Sequence, residues 1–211
     1  MLEAVLFDLD GTLWDASEEI LLAWNEALKK CPNSLKKVIT QEELNACFGL
    51  PMTEIAKRLF EQNTEEEQKE IMDVCIQEEQ DYLKEHGAKL FPGLEDTLKE
   101  LKKDYKLFVV SNCQSGYIEV FMEAHHLTQY FDDIICWGDN LLPKGENNKL
   151  IMKKNGVTKA VYVGDTAGDE NSARVAEIPF VFASYGFGEA VAPDYTINSF
   201  DELPKLLKTI E

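Results

Sequence analysis

Short apolar runs that each close on polar residues leave this chain few possible architectures. Val5-Leu6-Phe7 runs into Asp8-Leu9-Asp10-Gly11-Thr12, and Leu107-Phe108-Val109-Val110 runs into Ser111-Asn112. Ala160-Val161-Tyr162-Val163 runs into Gly164-Asp165-Thr166-Ala167-Gly168-Asp169, and Lys144 follows a further run, Ile134-Ile135-Cys136. Each run has the length of a buried parallel strand and precedes a helix-like segment, which predicts an α/β fold with a doubly wound parallel sheet. Strand ends of one polarity lie along one sheet edge, so these polar termini should converge on one cleft. The Asp8 strand is expected at the centre, flanked by the strands ending at Ser111 and Gly164. Pro179-Phe180-Val181-Phe182-Ala183 adds a fifth strand, with a Gly186-Phe187-Gly188 turn after it. Tyr195-Thr196-Ile197 is expected as a short edge strand and Phe200 to Ile210 as a closing helix.

Asp8 and Asp10 would point to opposite faces of a continuing strand, but Gly11 permits a sharp turn that lets both converge on one pocket. A carboxylate pair so placed suits a metal site or acid/base chemistry; an isolated pair would equally suit a solvated acidic turn. Asp/Asp, Ser/Asn, Lys and Asp/Asp arriving in this order at four strand ends weigh against chance.

With these four segments, the chain resembles the haloacid dehalogenase superfamily of phosphotransferases, over nearly its whole length from Val5 to about Gly188. Within it the chain is most similar to the phosphoglycolate-phosphatase-like branch, through Asp8-Leu9-Asp10-Gly11-Thr12-Leu13, Phe91-Pro92-Gly93, Val110-Ser111-Asn112 and Gly164-Asp165-Thr166. The resemblance implies a Rossmann-like core over residues 1–13 and 91–211, and a helical cap inserted over residues 14–90. It implies hydrolysis of a small phosphorylated metabolite, with Asp8 as nucleophile and Asp10 as general acid and base. It also implies Mg²⁺ held by Asp8, the Asp10 carbonyl and Asp165, with Asp169 as a direct or indirect ligand, and phosphate bound by Thr12, Ser111, Asn112 and Lys144. Oxygen-only ligands agree with a hard cation that keeps several waters. Lys144 lacks the prolines that follow it in many relatives, which leaves Lys149 as its fallback, and Glu177 stands where a glycine commonly ends a helix.

The 211 residues, long for one average domain and short for two, suit a core with an insertion. Lys plus Arg total 21 against 39 Asp plus Glu, a net charge of −18 that would repel nucleic acid. A phosphorylated substrate meets the same repulsion, so positive potential must be local. The five cysteines form no C-x-x-C pair and their odd number argues against a disulfide framework, so a reducing, cytoplasmic setting is expected. Cys113, next to Asn112, is read as a buried thiol. No apolar stretch is long enough to span a bilayer and no signal peptide is recognisable, so no membrane partner is expected. A monomer or homodimer remains open.

From Trp14 to Leu90 the βα alternation stops and the pattern turns helical. Ile20, Leu21, Ala23, Trp24, Ala27 and Leu28 recur at helical spacing and are read as core. Thr40 with Glu43 and Thr64 with Glu67 fit capping boxes, and Glu65-Glu66-Glu67 reads as a solvated first turn. This insertion resembles the family's cap, hinged near residues 13–18 and 84–91, and Phe48-Gly49-Leu50-Pro51 resembles its specificity loop. No cation stands at positions 46–52; the nearest are Lys57 and Arg58, which weighs against a phosphomutase needing to grip a second phosphate. The acid at Asp10 sets dehalogenases and phosphonatases aside. Asp15, Asn25, His86, His125 and His126 are read as capping, structural or surface residues. A phosphomutase or a pyrophosphatase is the alternative within the enzyme class, and a receiver-type phosphoacceptor and a non-catalytic binding protein are the rivals from other classes, disfavoured by the insertion and the intact acid set.

Overall fold

The computed structural model describes residues 2–210. The chain runs β1 (Ala4–Phe7), β2 (Trp14–Asp15), α1 (Ser17–Lys30), α2 (Gln41–Asn45), α3 (Met52–Leu59), α4 (Glu65–His86) and β3 (Lys89–Leu90). It continues through α5 (Leu94–Leu101), β4 (Lys106–Ser111), α6 (Tyr117–Ala124), β5 (Asp133–Cys136), α7 (Trp137–Asn140) and α8 (Lys144–Lys154). It closes with β6 (Ala160–Gly164), α9 (Ala167–Val175), β7 (Phe180–Ala183), β8 (Tyr195–Ile197) and α10 (Leu203–Leu207). Six strands form one sheet in the order β5-β4-β1-β6-β7-β8, and every pairing in it is parallel. The expected arrangement is therefore present, with the Asp8 strand between those ending at Ser111 and Gly164.

The apolar runs form strands because both faces of the sheet are covered. Val5, Phe7, Leu107, Val109, Val161 and Val163 pack into one core with α5, α6 and α10, while Leu6, Phe108, Val110 and Tyr162 pack into a second with α8 and α9. Side chains alternate across a strand, so continuous apolar sequence supplies both cores.

Between β1 and β4, helices α1 to α4 assemble on the stripe Ile20, Ala23, Trp24, Ala27 and Leu28, all buried. Both capping boxes form, at Thr40 with Glu43 and at Thr64 with Glu67. The segment is not helical throughout. It begins and ends in a two-residue antiparallel ribbon, β2 on β3, with Trp14 opposite Leu90 and Asp15 opposite Lys89.

The expected closing helix is shorter than 200–210. A 3-10 turn at Phe200–Glu202 precedes α10, and the Thr209 amide and hydroxyl both donate to the Leu206 carbonyl, which ends the helix at Leu207. The Glu177 departure is visible in the backbone: it adopts a left-handed φ of 57° just past α9.

Candidate active site

The turn after β1 builds the floor of the site. Asp8 continues the ladder by donating its amide to the Val163 carbonyl at 2.9 Å, and Gly11 (φ 78°) then reverses the chain so that its amide reaches the Trp14 carbonyl at 2.9 Å. A Cβ on Gly11 would strike the Asp165 carboxylate, so both the left-handed turn and the close approach require glycine here. Asp8 and Asp10 thereby line one cavity, together with Ser111 and Asn112 from the end of β4.

Lys144 opens α8 and is buried with its ammonium 2.9 Å from Asp8 Oδ1 and 2.7 Å from Asp169 Oδ1, above the Tyr162 ring. Lys149 instead pairs with Glu146 on the surface, so Lys144 is the lysine the fold brings to the aspartates. Asp169 also caps its own helix: its Oδ2 accepts from the Asp165 amide at 3.2 Å, the Thr166 amide at 3.0 Å and the Thr166 hydroxyl at 2.7 Å. Asp165 Oδ2 accepts from the Phe187 amide at 2.7 Å, in the turn that follows β7. Thr12 is buried in the same turn and donates its hydroxyl to Asp165 Oδ1 at 3.4 Å.

Phe48, Gly49 and Leu50 do reach the core. They line the cavity, the Gly49 carbonyl accepts from Asn112 Nδ2 at 2.8 Å, and the Phe48 ring lies 4.6 Å from that of Phe187. Lys57 and Arg58 are exposed on α3, outside this cavity. Asp15 accepts from the Ser17 amide at 3.0 Å, a capping contact at the start of α1. Asn25 bonds both polar groups of Ile39, which makes it a clamp on the loop before α2. His125 packs edge-on against Trp14.

Four carboxylates meet one lysine here, and their protonation reflects it. Burial, then the Asp169 charge, raises Asp8 to about 6 against the pull of Lys144. Burial and the Asp8 charge raise Asp10 to about 7, opposed by the Tyr117 hydroxyl and the Trp14 indole, each donating to Asp10 Oδ1 at 2.9 Å. Burial, Asp169 and Asp8 raise Asp165 to about 8. Burial alone would lower the Lys144 ammonium, but Asp169 and Asp8 together outweigh it and raise it. One carboxylate oxygen each from Asp8, Asp165 and Asp169 lies within 4.8 Å of the others. A set of hard oxygen donors with a deficit of positive charge fits a divalent cation such as Mg²⁺. Burial pushes the Cys113 thiol well up, which suits an inert wall residue rather than a nucleophile.

The cap side of the cavity holds residues that the sequence did not single out. Trp24 is buried as expected, yet it also lines the cavity and donates its indole N–H to Glu79 Oε2. Glu79 accepts a second bond from Gln114 Nε2 at 2.8 Å and is raised by burial to about 8. A signal for Glu79 existed. It stands in the buried stripe of α4 with Met72, Cys75 and Leu83, where an acid cannot be solvated.

Known proteins resemble this chain over nearly its whole length. The family model of the haloacid dehalogenase-like hydrolases matches residues 5–183. A phosphoglycolate phosphatase of Aquifex aeolicus is 28% identical, over 98% of this chain and 97% of that protein. A phosphoglycolate phosphatase of Cupriavidus necator is 26% identical, over 97% and 92%. The crystal structure of a predicted phosphatase from Clostridium acetobutylicum superposes with a TM-score of 0.79 at 28% identity, covering 99% of both chains. CbbY of Rhodobacter sphaeroides, solved with xylulose 1,5-bisphosphate, shares the fold with a TM-score of 0.83 at 22% identity over 96% of each chain. Among the described residues no helix is long and apolar enough to cross a membrane. The matched span takes in all four polar strand ends, and the chain belongs to the haloacid dehalogenase-like hydrolases.

Proposed function

We propose that this hydrolase is a Mg²⁺-dependent phosphatase that cleaves a small phosphomonoester through an aspartyl-phosphate on Asp8. The observation that carries this reading is the pairing of two differently held carboxylates in one cavity: Asp8 against Lys144, and Asp10 against Trp14 and Tyr117 with its proton retained to about pH 7. Asp8 attacks phosphorus in line, forming one P–O bond as the ester P–O bond breaks. Asp10 gives its proton to the departing oxygen, then takes one from the water that displaces Asp8 and releases phosphate. Such acid/base work contributes roughly 10²–10⁴-fold. Lys144, Ser111 and Asn112 hold the phosphoryl oxygens, and Asp169 positions Lys144. Asp8, Asp165 and the Asp10 carbonyl would hold Mg²⁺, which when bound offsets the charge between carboxylate and phosphoryl group.

Residues 14–90 act in this reading as the cap over a core formed by 1–13 and 91–211. The Gly49 and Phe48 contacts with Asn112 and Phe187 are its latch, which excludes water during transfer. The curated relatives named for phosphoglycolate support a small ester as substrate.

The test is phosphate release from an aryl phosphate and a panel of phosphometabolites, with Mg²⁺ or with chelator. Asp8→Asn should lower turnover by about 10³-fold or more, and Asp10→Asn by roughly 10²–10⁴-fold. Activity that survives chelation or Asp8→Asn would overturn the reading.

A further inference from the structure

The cavity above Asp8 is about 50 Å³, and its chemistry is uneven. Its floor is polar and its walls are apolar except at one place, where Glu79 of the cap helix α4 meets Gln114 of the core loop after β4 beside Trp24. Both polar residues are more than nine-tenths buried, at 2% and 7% exposure. Gln114 Nε2 donates to Glu79 Oε1 at 2.8 Å, and Gln114 Oε1 is buried without a partner. A buried acceptor left unpaired is costly unless something brings it a donor. Among the described residues, no Lys, Arg or His lines this cavity.

These observations bear on the part of the ester that the phosphoryl site does not hold. With phosphorus on Asp8 and the ester oxygen toward Asp10, the leaving group extends into the space walled by Glu79 and Gln114. An anionic leaving group would lose its water there and meet no cation. In either protonation state Glu79 offers it no positive charge. A hydroxyl group, by contrast, can donate to Gln114 Oε1 and satisfy it.

We propose that Glu79 and Gln114 form the leaving-group subsite of this enzyme, and that its substrate is the phosphomonoester of a small uncharged polyol rather than of a carboxylate or a second phosphate. The subsite rests on the reading of Asp8 as phosphoryl acceptor. It predicts a preference opposite to that suggested by the names of the curated relatives, since glycolate carries a carboxylate where this cavity has an acid and an orphaned acceptor.

The test compares kcat/KM for glycerol phosphate, phosphoethanolamine and phosphoglycolate with Mg²⁺, in wild type, Gln114→Met and Glu79→Gln. The ratio between two substrates on one preparation does not depend on the fraction folded, so a poorly folding variant still reports. Wild type should favour glycerol phosphate over phosphoglycolate by about 10-fold to 100-fold. Both variants should compress that ratio by about tenfold. Equal or preferred use of phosphoglycolate, or a ratio unmoved in both variants, would overturn the subsite while leaving the phosphatase intact. A clear preference for phosphoethanolamine would overturn the uncharged leaving group in favour of an ammonium. Failure to release phosphate from every ester, an aryl phosphate included, would overturn the phosphatase reading and the subsite with it.

Discussion

At the residue scale, Glu79 also leaves a mark on stability. Its carboxyl has an ordinary value of 4.5 when the chain is unfolded, and burial raises it to about 8 in the fold. Between those values the folded state holds a proton that the unfolded state lacks, so stability falls as pH rises through this window. The slope from this one group is at most about 1.4 kcal/mol per pH unit. Asp8, Asp10 and Asp165 are raised too, and add slopes of the same sign. The difference between wild type and Glu79→Gln isolates Glu79, because the amide cannot titrate. Urea denaturation at pH 5 and pH 8 should show the variant gaining on wild type as pH rises; a pH-independent difference would mean Glu79 is not buried as an acid. The same residue shows where a sequence stops being readable. Asp8, Asp10, Ser111, Asn112, Lys144, Asp165 and Asp169 could be found because strand ends gather them on one edge. Glu79 sits between Glu78 and Gln80 in a charged helix, and only its register with Cys75 and Leu83 separates it from a solvated acid.

At the element scale, strands were easier to read than what joins them. Parallel strands buried on both faces must be apolar at every position, and that leaves a continuous signal. The two-residue ribbon of β2 and β3 leaves none, since its partners lie about seventy-five positions apart and pair only through tertiary context. The end of α9 was readable through an absence. Its missing glycine forces Glu177 into the left-handed region at φ 57°, on an exposed position. Glu177→Gly should therefore stabilise the protein by about 1 kcal/mol, because glycine takes this conformation without steric strain. For a chain of this size that is a rise in Tm of about 2–4 °C. Glu177 touches none of the site, so phosphate release should not change. A lower Tm would show that the side chain contributes more than the backbone strain removes. Helix capping works in the opposite direction at α4, where Thr64 and Glu67 close a reciprocal pair. Thr64→Ala should lower stability by about 1 kcal/mol.

At the scale of the whole molecule, the fold concentrates a charge problem that its composition only hints at. A net charge of −18 is spread over the surface, where water and salt screen it, but in the site buried Asp8, Asp165 and Asp169, with half-buried Asp10 beside them, share one buried lysine. The aspartates come from three distant parts of the chain, the end of β1, the end of β6 and the first turn of α9, and the lysine from a fourth, the start of α8. Holding them together therefore works against folding, and a cation bound there works for it. A ligand that binds only the folded state stabilises by about 2.7 kcal/mol at a hundred times its Kd. Mg²⁺ should then raise Tm by about 5–10 °C over the protein in chelator. Screening predicts a different result, since sodium chloride at matched ionic strength weakens surface repulsion without filling the site. Asp165→Asn removes one of the three clustered carboxylates, and should abolish most of the Mg²⁺-specific rise while keeping the response to sodium chloride. This readout needs no substrate, so it tests the metal site separately from the chemistry. If sodium chloride reproduced the Mg²⁺ effect, or Asp165→Asn retained it, the aspartates would be balanced by Lys144 and by their own protons alone.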